Sequence, residues 1–184
     1  KGHDVWIYEG REVPNIGLNA VSGRPPEDYG MEPTRYEQIR RGTWDVDARV
    51  ADMNANGVLA SLCFPSFPSF CGKLFLGTAD RGFALAVLQA YNDWHLEDWC
   101  GRHPGRFIPL VVLPLWDSEL AARELRRTAR RGARAFTMLE NPESMALPSF
   151  HDLDYWSPLW RACSDEAAVV CIHIGTGKEL PTPS

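Results

Sequence analysis

Val169-Val170-Cys171-Ile172-His173-Ile174-Gly175 sets a single histidine at the end of an apolar run and follows it with glycine. A short continuous apolar run reads as a strand buried on both faces, as in parallel sheets. The C-terminal end of such a strand is where α/β barrels carry their chemistry. His173 there suits three roles: metal ligand, general acid or base, or hydrogen-bonded core residue. Imidazole suits zinc, but a catalytic zinc takes about three protein ligands and keeps one position open. Spacing alone offers one ligand in His173 and favours the core role. Glu140 ends the preceding strand-like run. Its carboxylate can reach the same mouth, either to orient a ligand or to cap the next segment.

Other residues carry less. Asn141 before Pro142 reads as turn chemistry. His95 and His103 read as structural, His151 and Asp152 as surface loop, and His3 has no partner histidine two residues away. No Gly-x-Ser-x-Gly is present, and Cys171, inside its strand, is placed to be an inert thiol. The arginines at 123, 126, 127, 130 and 131 hint at an anionic ligand. Most fall on the outer face near a helix C-terminus, where the dipole favours cations, so they read as a solvated face. Arg24 and Arg35, in an N-terminal loop, can grip a substrate carboxylate bidentately or be plain surface arginines. Trp44, Phe67 and Phe70 are loop aromatics that can wall a pocket or serve an interface or the core.

The elements that must position these residues alternate. Residues 1–44 are rich in Gly and Pro and show little period beyond a short strand at Val5–Tyr8; they read as a lid or binding loop, or as a disordered or truncated end. Asp47 is placed to cap a helix over 48–56. Strand-like runs follow at 58–64, 107–113, 133–139 and 169–175, separated by helical patterns at 81–102, 117–131 and 155–167; residues 176–184 read as loop. Such alternation means βαβ units and a parallel sheet. Doubly wound sheets and barrels both satisfy it, but no Gly-x-Gly-x-x-Gly follows any strand. A whole barrel takes about 250 residues, and this chain has 184.

Composition narrows the classes further. With 45% hydrophobic residues and a net charge of -5, the chain can bury a core, and its mixed charge does not point to nucleic acid. No apolar stretch approaches the ~18 residues of a membrane span. The chain opens on Lys1, so the lack of a visible signal peptide proves little. Five cysteines without a Cys-x-x-Cys pair read as buried thiols in a reducing, cytoplasmic setting.

Several stretches, in order, resemble one family. They are Asp47-Ala48-Arg49-Val50-Ala51-Asp52-Met53 through Gly57-Val58, Phe64-Pro65-Ser66, Tyr91-Asn92-Asp93-Trp94, and Pro104-Gly105-Arg106-Phe107 with Leu113-Pro114-Leu115. Gly132-Ala133-Arg134-Ala135 with Glu140-Asn141-Pro142, and Val170 to Gly175, complete the set, and Asp4 to Gly10 looks like one subgroup. The chain resembles the amidohydrolase-related metal-dependent hydrolases, in the branch that includes aminocarboxymuconate-semialdehyde decarboxylase and related carboxy-lyases.

The resemblance implies a partial (β/α)8 TIM barrel, roughly its second to fifth strands, with residues 1–184 as a single incomplete domain: a loop or lid over 1–44 and βα units over 45–184. It implies a divalent metal, usually zinc, at the C-terminal mouth, with His173 at the position of a metal ligand. A bound metal polarises substrate or lowers the pKa of its water; in the decarboxylase branch that water adds to or protonates an unsaturated carboxylate before carbon dioxide leaves. The substrate is expected to be a small molecule bearing a carboxylate or an aromatic ring, with hydrolysis and decarboxylation both open. Neither nucleic acid nor membrane is an expected partner, and a homodimer of the full-length protein is compatible. The family's His-x-His pair of the first strand is absent, and its later histidine and aspartate would lie beyond Ser184. The chain by itself is therefore expected neither to hold zinc tightly nor to turn over substrate, and its exposed barrel edges to promote association. The rival from another class is a non-catalytic α/β interaction domain that uses the aromatic loops as an interface.

Overall fold

The computed structural model describes residues 3–13, 23–28 and 35–175. The loop readings for 14–22, 29–34 and 176–184 lie outside the described residues. The chain divides into two units, residues 1–59 and 60–184.

In the first unit, β1 (Trp6–Tyr8) and β2 (Arg11–Val13) form an antiparallel hairpin. Its two turn residues, Glu9 and Gly10, have φ of 50° and 72°, the tight-turn geometry that matches strand twist. Helix α1 spans Val46–Ala55. Its cap is Asp45, which accepts from Ala48 N–H at 2.9 Å, and not Asp47. Asp45 has the extended backbone that a cap needs, whereas Asp47 already sits inside the first turn. Arg40 clasps Asp52 of α1 through Nε and Nη2, at 2.7 and 2.6 Å.

The second unit begins with β3 (Ser61–Leu62), the short α2 (Lys73–Leu76) and α3 (Arg81–Trp94). It continues through β4 (Phe107–Ile108), β5 (Leu110–Val111), α4 (Ser118–Ala129), β6 (Ala135–Leu139), α5 (Leu153–Asp165) and β7 (Val169–His173). Asp80, Asp117 and Asp152 cap the three long helices, each accepting a backbone N–H three residues on. Every pairing in this unit is parallel: β3 with β4, and β5 with β6 and then β7. The run 107–113 is broken at Pro109, which has no N–H to give a ladder, so the chain changes partner there. Two further expectations shrink. The run 58–64 pairs only at Ser61 and Leu62, with Leu59 exposed, and the 81–102 helix widens into a π-helical turn at His95–Cys100.

The parallel strands form two sheets, β3-β4 and β5-β6-β7, each with its neighbours in chain order and no reversal. A doubly wound sheet reverses at its switch point; a barrel arc does not. Among the described residues this arc is open and no barrel closes.

The core lies between the strands and α4 and α5, around Leu113, Leu125, Phe136, Met138, Trp156 and Leu159. β6 is buried at all five positions. β7 is not: Val169 is 58% and Ile172 57% exposed. This corrects the reading of a strand buried on both faces. Among the described residues β7 is paired on one edge only, by β6, and an apolar run does not distinguish a central strand from an outer one.

Where the β5 ladder stops, side chains of α3 take over. Asn92 donates to Val112 O at 2.8 Å and accepts from Val112 N–H at 2.9 Å, so its amide stands in for a strand's peptide group. Asn92 also donates to Glu124 Oε1 at 2.8 Å. Glu124, only 2% exposed, further accepts from Gln89 at 2.9 Å and from two nitrogens of Arg127 at 2.8 Å each. Arg127 and Arg131 both reach Asp93, and Arg131 reaches Glu97. These two arginines are thus ion-paired rather than simply solvated, and Arg126 pairs with Asp165 at 2.9 Å.

His95 is buried and accepts from Leu110 N–H at Nε2, at 3.3 Å. Burial lowers its pKa from the ordinary 6.5 to about 4, and a proton on Nε2 would face that N–H.

Two predictions follow from this packing. Replacing Asn92 by Ala strands both polar groups of Val112 in the core and should cost about 3 kcal/mol, read as a lower midpoint in urea at an unchanged slope. Between pH 6.5 and 4 the unfolded chain binds the His95 proton that the folded chain refuses. Stability should therefore fall by about 3 kcal/mol as the pH drops through that window, and His95→Gln should flatten the fall in pH-dependent melts.

Candidate active-site mouth

Parallel strands bring their C-terminal ends to one side, and four residues gather at those ends. Phe64 follows β3, Phe70 lies in the loop beyond it, Glu140 follows β6, and His173 ends β7. The His173 ring stacks on Phe70 with centroids 3.9 Å apart and planes 13° apart. Phe64 meets the same ring edge-on, at 4.8 Å and 75°. Nδ1 of His173 lies 2.7 Å from the carbonyl of Ile174. A carbonyl only accepts, so this contact is made by a proton on Nδ1. Glu140 accepts from Gly175 N–H at 3.1 Å and so fixes the turn by which the chain leaves β7.

The loop that carries Phe70 is itself held. Ser69 N–H bonds Ser66 O and Gly72 N–H bonds Ser69 O, at 3.0 and 3.1 Å. Gly72 has a φ of +75°, and a Cβ there would come 2.5 Å from Cγ1 of Val112, so only glycine fits. Thr137, fully buried in β6, donates its hydroxyl to Phe70 O. Thr137 pairs in register with Cys171 of β7, which ties the Phe70 backbone to the two strands that lead to Glu140 and His173.

Of the residues singled out from sequence, the structure therefore joins Phe70 to His173 and sets Glu140 on the turn beside it. Phe67 is half-buried in the same loop. Arg24, Arg35 and Trp44 belong to the first unit. There Arg35 is exposed beside a short 3-10 turn, and Trp44, 44% exposed, packs edge-on with Tyr36 and beneath the Arg41 guanidinium. Phe64, Thr137 and Gly72 had no assigned role. The available signal was a doublet of Phe-Pro steps directly after a strand and a threonine in the middle of an apolar one.

The donor set can be compared with a divalent ion. His173 offers one imidazole of suitable type, and a ligand bond formed in the ring plane is compatible with stacking on the ring face. Among the described residues no three His, Cys, Asp or Glu side chains converge. These residues fit one ligand position and not a whole site. Thiol chemistry has no support either. No disulfide forms among the described residues, and burial raises the Cys171 thiol and pushes Cys163 and Cys100 up to about 11 and 12, far from a reactive thiolate.

Comparison with known proteins agrees with the arc. The amidohydrolase family model matches residues 20–182. Gamma-resorcylate decarboxylase from Rhizobium radiobacter is 26% identical over 85% of this chain and 45% of its own length. The chain thus spans about half the length of the curated relatives it matches. A solved 5-carboxyvanillate decarboxylase from Novosphingobium aromaticivorans, complexed with manganese and 4-hydroxy-3-methoxy-5-nitrobenzoic acid, is 26% identical. It superposes with a TM-score of 0.57 over 70% of this chain and 34% of its own. Dihydroxybenzoic acid decarboxylase from Polaromonas sp. shares the fold at 24% identity and a TM-score of 0.59, over 86% and 45% of the two chains. These neighbours make the open arc part of a TIM-barrel α/β fold. No helix among the described residues is long and apolar enough to cross a membrane.

If Thr137 tethers the aromatic loop, Thr137→Val should cost about 1–2 kcal/mol and raise the rate of limited proteolysis within residues 65–72. An unchanged cleavage rate would remove the tether.

Proposed function

This chain belongs to the amidohydrolase family, and we propose that the protein it represents is a divalent-metal decarboxylase of small hydroxylated aromatic carboxylates. The observation that carries this reading is an imidazole held between two phenylalanine rings at a strand-end mouth, in a chain whose curated relatives are gamma-resorcylate decarboxylases. Family membership weighs against the interaction-domain alternative, and the decarboxylase relatives weigh against hydrolysis.

In the reaction class proposed, a proton adds to the ring carbon that bears the carboxylate. The bond to the carboxylate carbon then breaks, its electron pair returns to the ring, and carbon dioxide leaves. A divalent ion would supply positive charge to hold the oxygens of the substrate and the charge that develops on them. His173 would give that ion one imidazole nitrogen, Nε2. Glu140 would keep the β7 exit turn in place through Gly175 N–H, and Phe64 and Phe70 would keep the imidazole side of the mouth dry, which strengthens every charge interaction within it. The manganese in the 5-carboxyvanillate decarboxylase argues for manganese over the zinc expected from sequence. Five cysteines without a disulfide among the described residues suit a reducing, cytoplasmic setting.

The test uses the full-length protein, stripped of metal and reloaded with Mn²⁺ or Zn²⁺, with 2,6-dihydroxybenzoate and 5-carboxyvanillate as substrates. Release of carbon dioxide should depend on metal, be restored better by Mn²⁺, and fall at least about 100-fold in His173→Ala. Metal-independent turnover, or hydrolysis of amides or esters without decarboxylation, would sink the reading.

A further inference from the structure

We propose that the groove between α3 and α4 binds a small multivalent oxyanion, its charged groups held by the guanidinium forks of Arg123 and Arg130. The groove measures about 380 Å³, with Gln89 of α3 on one side and Arg123, Arg126, Arg127 and Arg130 of α4 around Glu124. Four cations thus meet one carboxylate, and that carboxylate is already filled. Both Glu124 oxygens accept from Arg127, and Gln89 and Asn92 complete them. Of the six arginines from 123 to 134, four have protein acceptors: Arg126 on Asp165, Arg127 on Glu124 and Asp93, Arg131 on Asp93 and Glu97, and Arg134 on backbone carbonyls. Arg123 and Arg130 differ. Both are exposed, and neither side chain has a hydrogen bond or ion pair among the described residues. Seven residues apart on one helix, they stand about 10.5 Å apart along its axis. Arg127 lies between them on the same face, four residues after the first and three before the second. The C-terminal end of α4 contributes about half a negative charge, too little to offset two whole cations. The two forks suit bidentate bonds to phosphate or carboxylate oxygens. A ligand with an anionic group at each end can engage both, whereas a small monovalent anion satisfies one.

Titration calorimetry on the full-length protein tests this, with tripolyphosphate and with citrate at an ionic strength held constant by sodium chloride. At least one of the two should bind at one site per chain. Its affinity should drop at least about 10-fold in Arg123→Gln and in Arg130→Gln, the loss expected of a hydrogen bond between charged groups. Arg161→Gln, which removes an exposed arginine of α5 outside the groove, should leave it unchanged. Tighter binding of tripolyphosphate would mark a phosphate site, and tighter binding of citrate a carboxylate site. Because neither Arg123 nor Arg130 has a partner to lose, both variants should melt at the temperature of the unaltered protein when no anion is added. A lost site is then separate from a lost fold. If neither anion binds beyond the level of chloride, or if the doubly substituted Arg123→Gln, Arg130→Gln protein binds as tightly as the unaltered one, the inference is overturned.

Discussion

The carboxylate of Glu124 is buried in α4, and its burial constrains most of what surrounds it. A carboxylate taken out of water costs several kcal/mol unless its lone pairs are filled. Here each oxygen has two donors: Asn92 and Arg127 on one, Gln89 and Arg127 on the other. Gln89 and Asn92 are three residues apart on α3, as are Glu124 and Arg127 on α4, so both pairs share a helix face. Sliding either helix by one residue would turn those donors away and leave a bare charge in the core. An apolar cluster of equal volume could be as stable, but it would tolerate such slippage more readily than a set of directed bonds.

From Glu124 the constraint passes to the strands through Asn92. One edge of its amide reads the carboxylate and both its polar atoms read Val112. That fixes the height at which β5 ends, and Val112 in turn sets the space into which only Gly72 fits. Gly72 closes the loop that carries Phe70, and Phe70 lies on His173. A close-packed interior passes position along such a path because no contact in it has slack. The mouth is therefore placed by helix-to-strand bonds well away from its own chemistry.

Much of the arc was legible in the sequence, because apolar runs and helical stripes alternate cleanly from residue 58 to 175 and Asp residues mark the helix starts. The helix caps show the limit. Asp45 and Asp47 are both capping types two residues apart, and only backbone conformation separates them. Pro109 was visible as a residue that cannot pair, yet its consequence, a strand that changes partners, depends on which neighbours stand on either side. His173 and Glu140 could be placed at strand ends from spacing alone. Phe70's partner could not, because the stack joins residues over a hundred positions apart through a loop of unusual φ at Ser69 and Gly72. Asn92 lay within a quoted motif, but a polar residue on a buried helix stripe becomes informative only when the backbone group it serves is known.

β7 shows why the aromatic clamp matters. Parallel strands are ordinarily covered on both faces, and rigid neighbours on each edge hold the residues at their ends. Among the described residues β7 is paired by β6 alone, through a register that runs from Ala135 with Val169 to Leu139 with His173. One ladder fixes the backbone of His173 but leaves its χ angles unconstrained. The ring is held by other means: Phe70 on its face, Phe64 at its edge and the Ile174 carbonyl at Nδ1. The loop after β3 thus supplies orientation at His173 that the β6 pairing does not.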